Sequence, residues 1–369
     1  MDKFTQTQKG GDNAVQNQIG TQIVVGIDEK RVREICDEKI EYAIKDLSAG
    51  AIEVAKERIS AFTDRLLTKI KENSANISSF SDPSFQRDII RAQMSVAESD
   101  RKADIDTLAE LLMARMNGKL KCATKTGIRK AMEIVPELET GELTALSVMF
   151  FYGMCKPNNI FGLNAESYLA CLDRHFSLIA QTELPQGNGW LKHLSILDAV
   201  TINSLGSFLP VGDYYGQAAT GIICTGLKVG SQEHANAVAI LTQCGMGADC
   251  LVPNDLLPGF VRLPLVNLED FSFLPINIPN IPKLYTMRPN AKHIEGLKKV
   301  IDLYSKDSQL IKQVKDEFAK RFSQYGTLKK LKDWLANCKG WFELTSVGEA
   351  LGYVNARRCL PGLPAIELE

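Results

Sequence analysis

The sequence predicts a mainly α protein, a multi-helix bundle with an N-terminal β arm and a proline-rich irregular segment with little strand. Three observations carry this reading. Apolar residues recur every three or four positions from Val32 to Ile70, and helical spacing returns in segments as far as residue 205. Residues 15–27 alternate instead, with Val15, Ile19, Ile23, Val25 and Ile27 on one face and Gln16, Gln18 and Gln22 on the other, which is the period of a half-buried strand. Seven of the 14 prolines fall between Pro253 and Pro289, a density that no helix or central strand sustains.

In chain order, the turn cluster Gly10-Gly11-Asp12-Asn13 introduces the strand. A lone strand leaves its N–H and C=O groups unpaired, and no second convincing strand follows within the next hundred residues. Its partner lies either in another subunit or far along the same chain, in the 260s. Strands from three or more copies would close a small sheet without open edges. Residues 1–27 are therefore expected to be an oligomerisation arm, with Val15, Ile19, Ile23, Val25 and Ile27 as its contact face in a trimer or larger homo-oligomer.

Residues 28–80 read as one long amphipathic helix, a rod of ~60 Å if unbroken, with Gly50 as the place for a kink. Residues 81–205 read as a helical domain. Asp82 followed by Pro83 starts its first helix, because a cap oxygen precedes a residue whose missing N–H costs nothing there. Gly118 closes the next helix, and further patterns run near 123–135, 141–154 and 165–181, with another around Trp190. Over 206–290 the periodicity fades. Leu274-Pro275-Ile276-Asn277-Ile278-Pro279 interleaves large apolar residues with prolines, which predicts extended chain packed on the helices, and Phe260–Leu263 reads as a short strand. The C-terminal region, 291–369, is helical again at 291–305, 308–324 and 327–337. A last helix begins at Ser346, spaced from Glu349 as in a capping box, and runs to about Arg357.

The 369 residues exceed what one small core holds and suit two or three compact units. Lys+Arg 43 against Asp+Glu 44 argues against a chain-wide binder of nucleic acid or anionic membrane. That balance hides segregation. From Glu139 to Asn290 the chain carries 7 Lys/Arg and 12 Asp/Glu in 152 residues, and the other 217 residues carry 68 charges. The charge-poor middle must be wrapped by the flanks or buried in an assembly. The opening Met1-Asp2-Lys3-Phe4 has no basic and apolar leader, and no stretch of about 18 apolar residues occurs, so a cytoplasmic protein with no membrane partner is expected. The nine cysteines form no CxxC pair, which predicts reduced thiols.

Few residues suggest chemistry. There is no phosphate-cradling GxxxxGK[ST] loop, no GxSxG elbow and no HExxH, and four histidines are too few for a three-histidine site to be expected. No metal and no cofactor are expected. The single spacing that could begin a metal site is Cys171 with His175, i and i+4 on a predicted helix, with Cys155 or Cys244 needed to complete it. Cys244 and Cys250 are a conceivable redox pair. Lys119, Lys121, Lys125, Arg129 and Lys130, with no acid between Gly118 and Ala131, form the candidate anion-binding cluster.

The segments Gly11-Asp12-Asn13, Gln18-Ile19-Gly20 and Val24-Val25-Gly26, the long helix after them, and the ending Phe342-Glu343-Leu344-Thr345-Ser346-Val347-Gly348 together resemble a bacterial family of uncharacterised proteins known mainly by locus names. The resemblance covers most of the chain and is strongest at its two ends. It implies a place in bacterial conflict and phage-defence neighbourhoods, and it supplies no catalytic motif. The expected function is a non-enzymatic homo-oligomeric scaffold or sensor. The first alternative is an enzyme or toxic effector with a site in 206–289, built from Asp213, His234, Cys244 or Asp249. Nucleic-acid or phosphate binding through residues 119–130 ranks last.

Overall fold

A computed structural model describes residues 28–45, 47–73, 77–116, 120–203, 208–276, 285–338 and 340–363. The expected arm, Val15 to Ile27, lies outside the described residues, as does Lys119. Fourteen α-helices and seven short strands make the described chain mainly α.

Residues 28–80 are not one rod. Two helices, α1 (Glu29–Ala43) and α2 (Ala49–Glu72), fold back on each other. Asp28 caps α1 through Arg31 N, and Ser48 is the N-cap of α2. The pairs Glu29–Lys71 at 2.8 Å and Arg33–Asp64 at 2.7 Å fix the antiparallel register. The reason is burial. Val32, Ile35 and Cys36 on α1 share one cluster with Phe62, Leu66 and Leu67 on α2, surface that a straight rod would leave in water. Gly50 sits in the first turn of α2 and makes no kink.

Then follow α3 (Pro83–Glu98), α4 (Lys102–Met116), α5 (Cys122–Ile134), α6 (Thr140–Met154), α7 (Ala165–Ile179) and α8 (Gly189–Ile196). Asp82 accepts from Ser84 N at 2.6 Å with Pro83 at the first position, as its sequence predicts. One departure from an all-helical 81–205 is β1 (Val200–Asn203), a strand whose partner lies near the C-terminus.

The 206–290 segment contains more regular structure than its fading period predicts: α9 (Val211–Ala218) and α10 (Gln232–Gln243) stand within it. Between and after them run β2 (Leu227–Lys228), β3 (Val252–Pro253) and β4 (Phe260–Arg262) in the order β2-β4-β3, then the pair β5 (Leu274–Ile276) and β6 (Tyr285–Met287). The expected strand at 260 is β4. Ladders this short satisfy few backbone groups, so buried side chains do the rest. Asn159 donates to the carbonyls of Asp270 and Phe273 at 2.9 and 3.1 Å and accepts from Val266 N at 3.1 Å. Asn254 donates to the carbonyls of Cys224 and Thr225 at 2.7 and 3.1 Å. Arg262, fully buried, donates through Nη1 to the carbonyls of Gly162 and Leu263 at 2.8 and 3.0 Å.

The chain ends with α11 (Ala291–Asp302), α12 (Ser308–Phe322), α13 (Gly326–Asn337), β7 (Trp341–Leu344) and α14 (Ser346–Cys359). The cap of α14 is Thr345, not Ser346: its hydroxyl accepts from Val347 N and Gly348 N at 3.2 and 3.3 Å. Ser346 is instead held against α5, where a Cβ on Gly127 would stand 2.6 Å from the Ser346 carbonyl. On its other side α14 lies on α6, with Asn355 donating to Ser147 at 2.7 Å. The apolar α6 is thus covered by α14 and α7, which accounts for part of the charge-poor middle. No helix among the described residues is long and apolar enough to cross a membrane.

Replacing Asn159 by Ala strands the buried Val266 N–H and two half-buried carbonyls, and at about 1–3 kcal/mol for a buried group left unpaired the unfolding free energy should fall by roughly 2 kcal/mol or more. Asn159→Asp should do nearly as much harm, because a carboxylate cannot donate to the Asp270 and Phe273 carbonyls. Urea denaturation checks both, and variants within about 1 kcal/mol of the parent would contradict the assignment.

Candidate functional site

The candidate is a two-stranded ribbon. β1 pairs with β7 antiparallel, Val200 opposite Leu344 and Ile202 opposite Phe342. Among the described residues this sheet has two strands, and Val200, Thr201 and Ile202 make no backbone hydrogen bond beyond the ladder. The ribbon is positioned from below by α5 and α14. Thr345 N donates to the Ala199 carbonyl at 3.1 Å, Thr345 Oγ1 to the Asp198 carbonyl at 2.5 Å, and Lys130 pairs with the Asp198 carboxylate at 2.6 Å. Asp198 itself takes a left-handed φ of 59°, turning the chain from α8 into β1.

Exposed apolar side chains gather around the ribbon. Ile196 at the end of α8 is 81% exposed, Ile202 in β1 38% and Leu209 40%. Leu209 follows Phe208, whose ring stands edge-on to Phe342 of β7 at 5.0 Å. Sequence reasoning missed this place because neither strand shows a period: four residues are too few to alternate visibly, and their pairing spans about 140 positions.

The basic cluster divides. Lys121 is the N-cap of α5 and is exposed, Lys125 lies one turn on, Arg129 meets Asp88 of α3 at 3.3 Å, and Lys130 turns to Asp198. Two arginines that the sequence did not single out join Arg129 on Asp88: Arg91 at 3.0 Å and Arg115 at 3.1 Å. Asp88 on the apolar face of a helix was the available signal, because a carboxylate there demands cations.

Cys171 and His175 satisfy each other. The imidazole Nδ1 lies 2.6 Å from the Cys171 carbonyl and 3.4 Å from its sulfur, and the ring stacks on Phe151 at 5.7 Å. Burial pushes the Cys171 thiol up to about 11, away from the thiolate a metal needs. No group of three or more His, Cys, Asp or Glu that could hold a metal occurs among the described residues. Cys244 packs against Gly296 and Cys250 is buried, both as free thiols. Asp213 lies in the first turn of α9, His234 accepts from Gly230 N at 3.4 Å, and Asp249 folds over Gly247. These residues are not brought together. The cavity nearest to them, about 630 Å³, lies between Asp255, Leu256, Pro258 and the α12 residues Lys312, Asp316 and Arg321.

One acid–base contact went unread in the sequence. Glu142, buried in the first turn of α6, meets His193 Nδ1 at 2.8 Å, which fixes the imidazole of α8 to the end of α6.

No curated protein and no solved structure matches the chain. A model of a locus-named "-like" family matches residues 26–368. The match includes Phe342–Gly348 of the resemblance and starts after Gly11–Gly20. The chain therefore belongs to this uncharacterised family, known by locus name.

Proposed function

We propose that the chain is a homo-oligomeric cytoplasmic scaffold or sensor, and that residues 15–27 of one copy add a strand to the β1–β7 ribbon of another. The observation that carries this is the edge formed by Val200, Thr201 and Ile202, which among the described residues make no backbone hydrogen bond beyond the ladder, set among exposed Ile196, Ile202 and Leu209. A two-stranded ribbon is marginal alone, and an open apolar edge is a template for another strand. The same chain contains a segment with the period of such a strand, which would place Val15, Ile19, Ile23, Val25 and Ile27 on one face.

Reach is no obstacle. The arm leaves from Asp28, at the end of the bundle where Glu29 pairs with Lys71. At about 3.3 Å per residue, extended residues 15–27 span roughly 43 Å, and a ribbon of four residues needs only the far part of that length. In a closed ring of three or more copies each copy gives one arm and receives one, which covers one edge of every ribbon.

Light scattering on the full chain should give a multiple of 40.8 kDa, and deletion of residues 1–27 should reduce it to a single chain. Ile202→Asp, which places a charge on the exposed side chain of the ribbon, should dissociate the assembly with little loss of fold. A full-length monomer, or a mass unchanged by the deletion, rejects the proposal.

The family resemblance adds a defence setting. Cells carrying the full chain should then plate phage less efficiently than cells carrying the deletion. Equal plating would remove that setting and leave the assembly to be judged by mass.

A further inference from the structure

We infer that the arginine cluster where α3, α4 and α5 meet at Asp88 binds a phosphate group, independently of the ribbon. Asp88, 1% exposed, is the centre of this cluster and carries a single negative charge. Three guanidinium groups converge on it: Arg91 at 3.0 Å, Arg115 at 3.1 Å and Arg129 at 3.3 Å. Arg115 is 11% exposed and also donates to Ser84 Oγ at 3.0 Å, so its position is fixed by two contacts. One carboxylate offsets one guanidinium, and Glu133, on Arg91 at 3.0 Å, partly offsets another.

The helices run side by side in the same direction. Asp88 faces Arg129, Arg91 faces Glu133, and Ser95 Oγ donates to the Met132 carbonyl at 2.7 Å. Both N-termini therefore lie at one end of the cluster, where the last turn of α4 also ends, since Arg115 reaches Ser84 at 3.0 Å. Arg87, beside Asp88, and Lys125, one turn before Arg129, belong to that end together with Lys121. No ion pair is made by Arg87, Lys121 or Lys125 among the described residues. The acid of this end is Asp82, whose carboxylate caps Ser84 N at 2.6 Å. Lys121, the N-cap of α5, offers no side-chain acceptor to its own helix.

Three guanidiniums thus share one buried carboxylate, with Arg87, Lys121 and Lys125 near in the chain and Asp82 and Glu133 already engaged. A phosphate, with several oxygens and up to two charges, matches forked guanidinium donors better than a carboxylate does. The phosphate could belong to a nucleic-acid backbone or to a free polyphosphate, and the two sources separate experimentally.

The full chain should be titrated at low salt with pyrophosphate, by calorimetry, and with a short labelled oligodeoxynucleotide, by fluorescence anisotropy. The comparison is the double variant Lys121→Glu/Lys125→Glu, at two positions that make no ion pair among the described residues, and its melting curve should match the parent's. Binding of pyrophosphate that weakens at least about tenfold in the variant supports the site and a free anion, since about 1.4 kcal/mol separates the two. Binding of the oligonucleotide alone, weakened in the variant and lost as salt rises, supports the site and a nucleic-acid backbone. No binding of either probe to the full chain, or equal binding by parent and variant, overturns the inference.

Discussion

A guanidinium buried without a carboxylate partner organises the irregular half of this protein. Arg262 belongs to β4, a strand of three residues, and its Nη1 gathers the carbonyls of Gly162 and Leu263 with Leu265 at 3.5 Å. On one side Leu256, Leu257 and Val266 enter the large core, and on the other Leu263 and Leu265 enter a smaller core built with α10 and α11. Arg262 therefore stands at the seam of the two. Close backbone approach makes this geometry available. A Cβ on Gly162 would fall 2.4 Å from the Pro264 carbonyl, and Gly226, at φ 72°, would place one 2.2 Å from the Val261 carbonyl. Burial is also what the neighbouring thiol feels most: Cys224 is pushed up to about 11, with the Arg262 charge pulling against that shift.

That constraint explains why a proline-rich, charge-poor segment is ordered at all. Prolines remove donors and forbid long ladders, so Asn159, Asn254, Thr225 and Arg262 take the place of strand neighbours. Buried polar side chains of this kind are expensive unless fully used, and Asn159 uses both ends of its amide. A deficit of charged residues is thus the mark of a segment whose polar needs are internal.

Legibility in the sequence followed the range of the forces. Helix starts set by local chemistry were readable, as at Asp82-Pro83 and at Asn164, which caps α7 through Ser167 N. The break between α1 and α2 was not, because the apolar stripe continues through Ile40, Ile44 and Leu47 and only the gain from folding back decides against a rod. Choosing Ser346 as a cap failed by one residue, since Thr345 carries the same hydroxyl and β7 fixes where the helix begins. At the candidate sites the lysines of α5 were visible as a run without acids, whereas the Asp88 cluster required three helices to be placed first. The ribbon was invisible for the same reason: its strands acquire meaning only when residues 200 and 344 meet.

Enclosure of α6 weakens one argument for assembly and leaves another. A middle poor in charge no longer demands a partner once α14 and α7 cover its most apolar helix, so association must rest on the ribbon edge alone. That edge is tied to the arginine cluster through α5. On one side of this helix Arg129 meets Asp88; on the other Gly127 receives the backbone of Ser346, and Lys130 holds Asp198 at the turn into β1. A displacement of α5 by an anion held between it and α3 would be felt at Asp198 and Ser346, the two points where the ribbon is anchored. A sensor requires such an element, one body contacting both the ligand and the assembling surface, and packing this close leaves α5 little freedom to move at one contact without moving at the other.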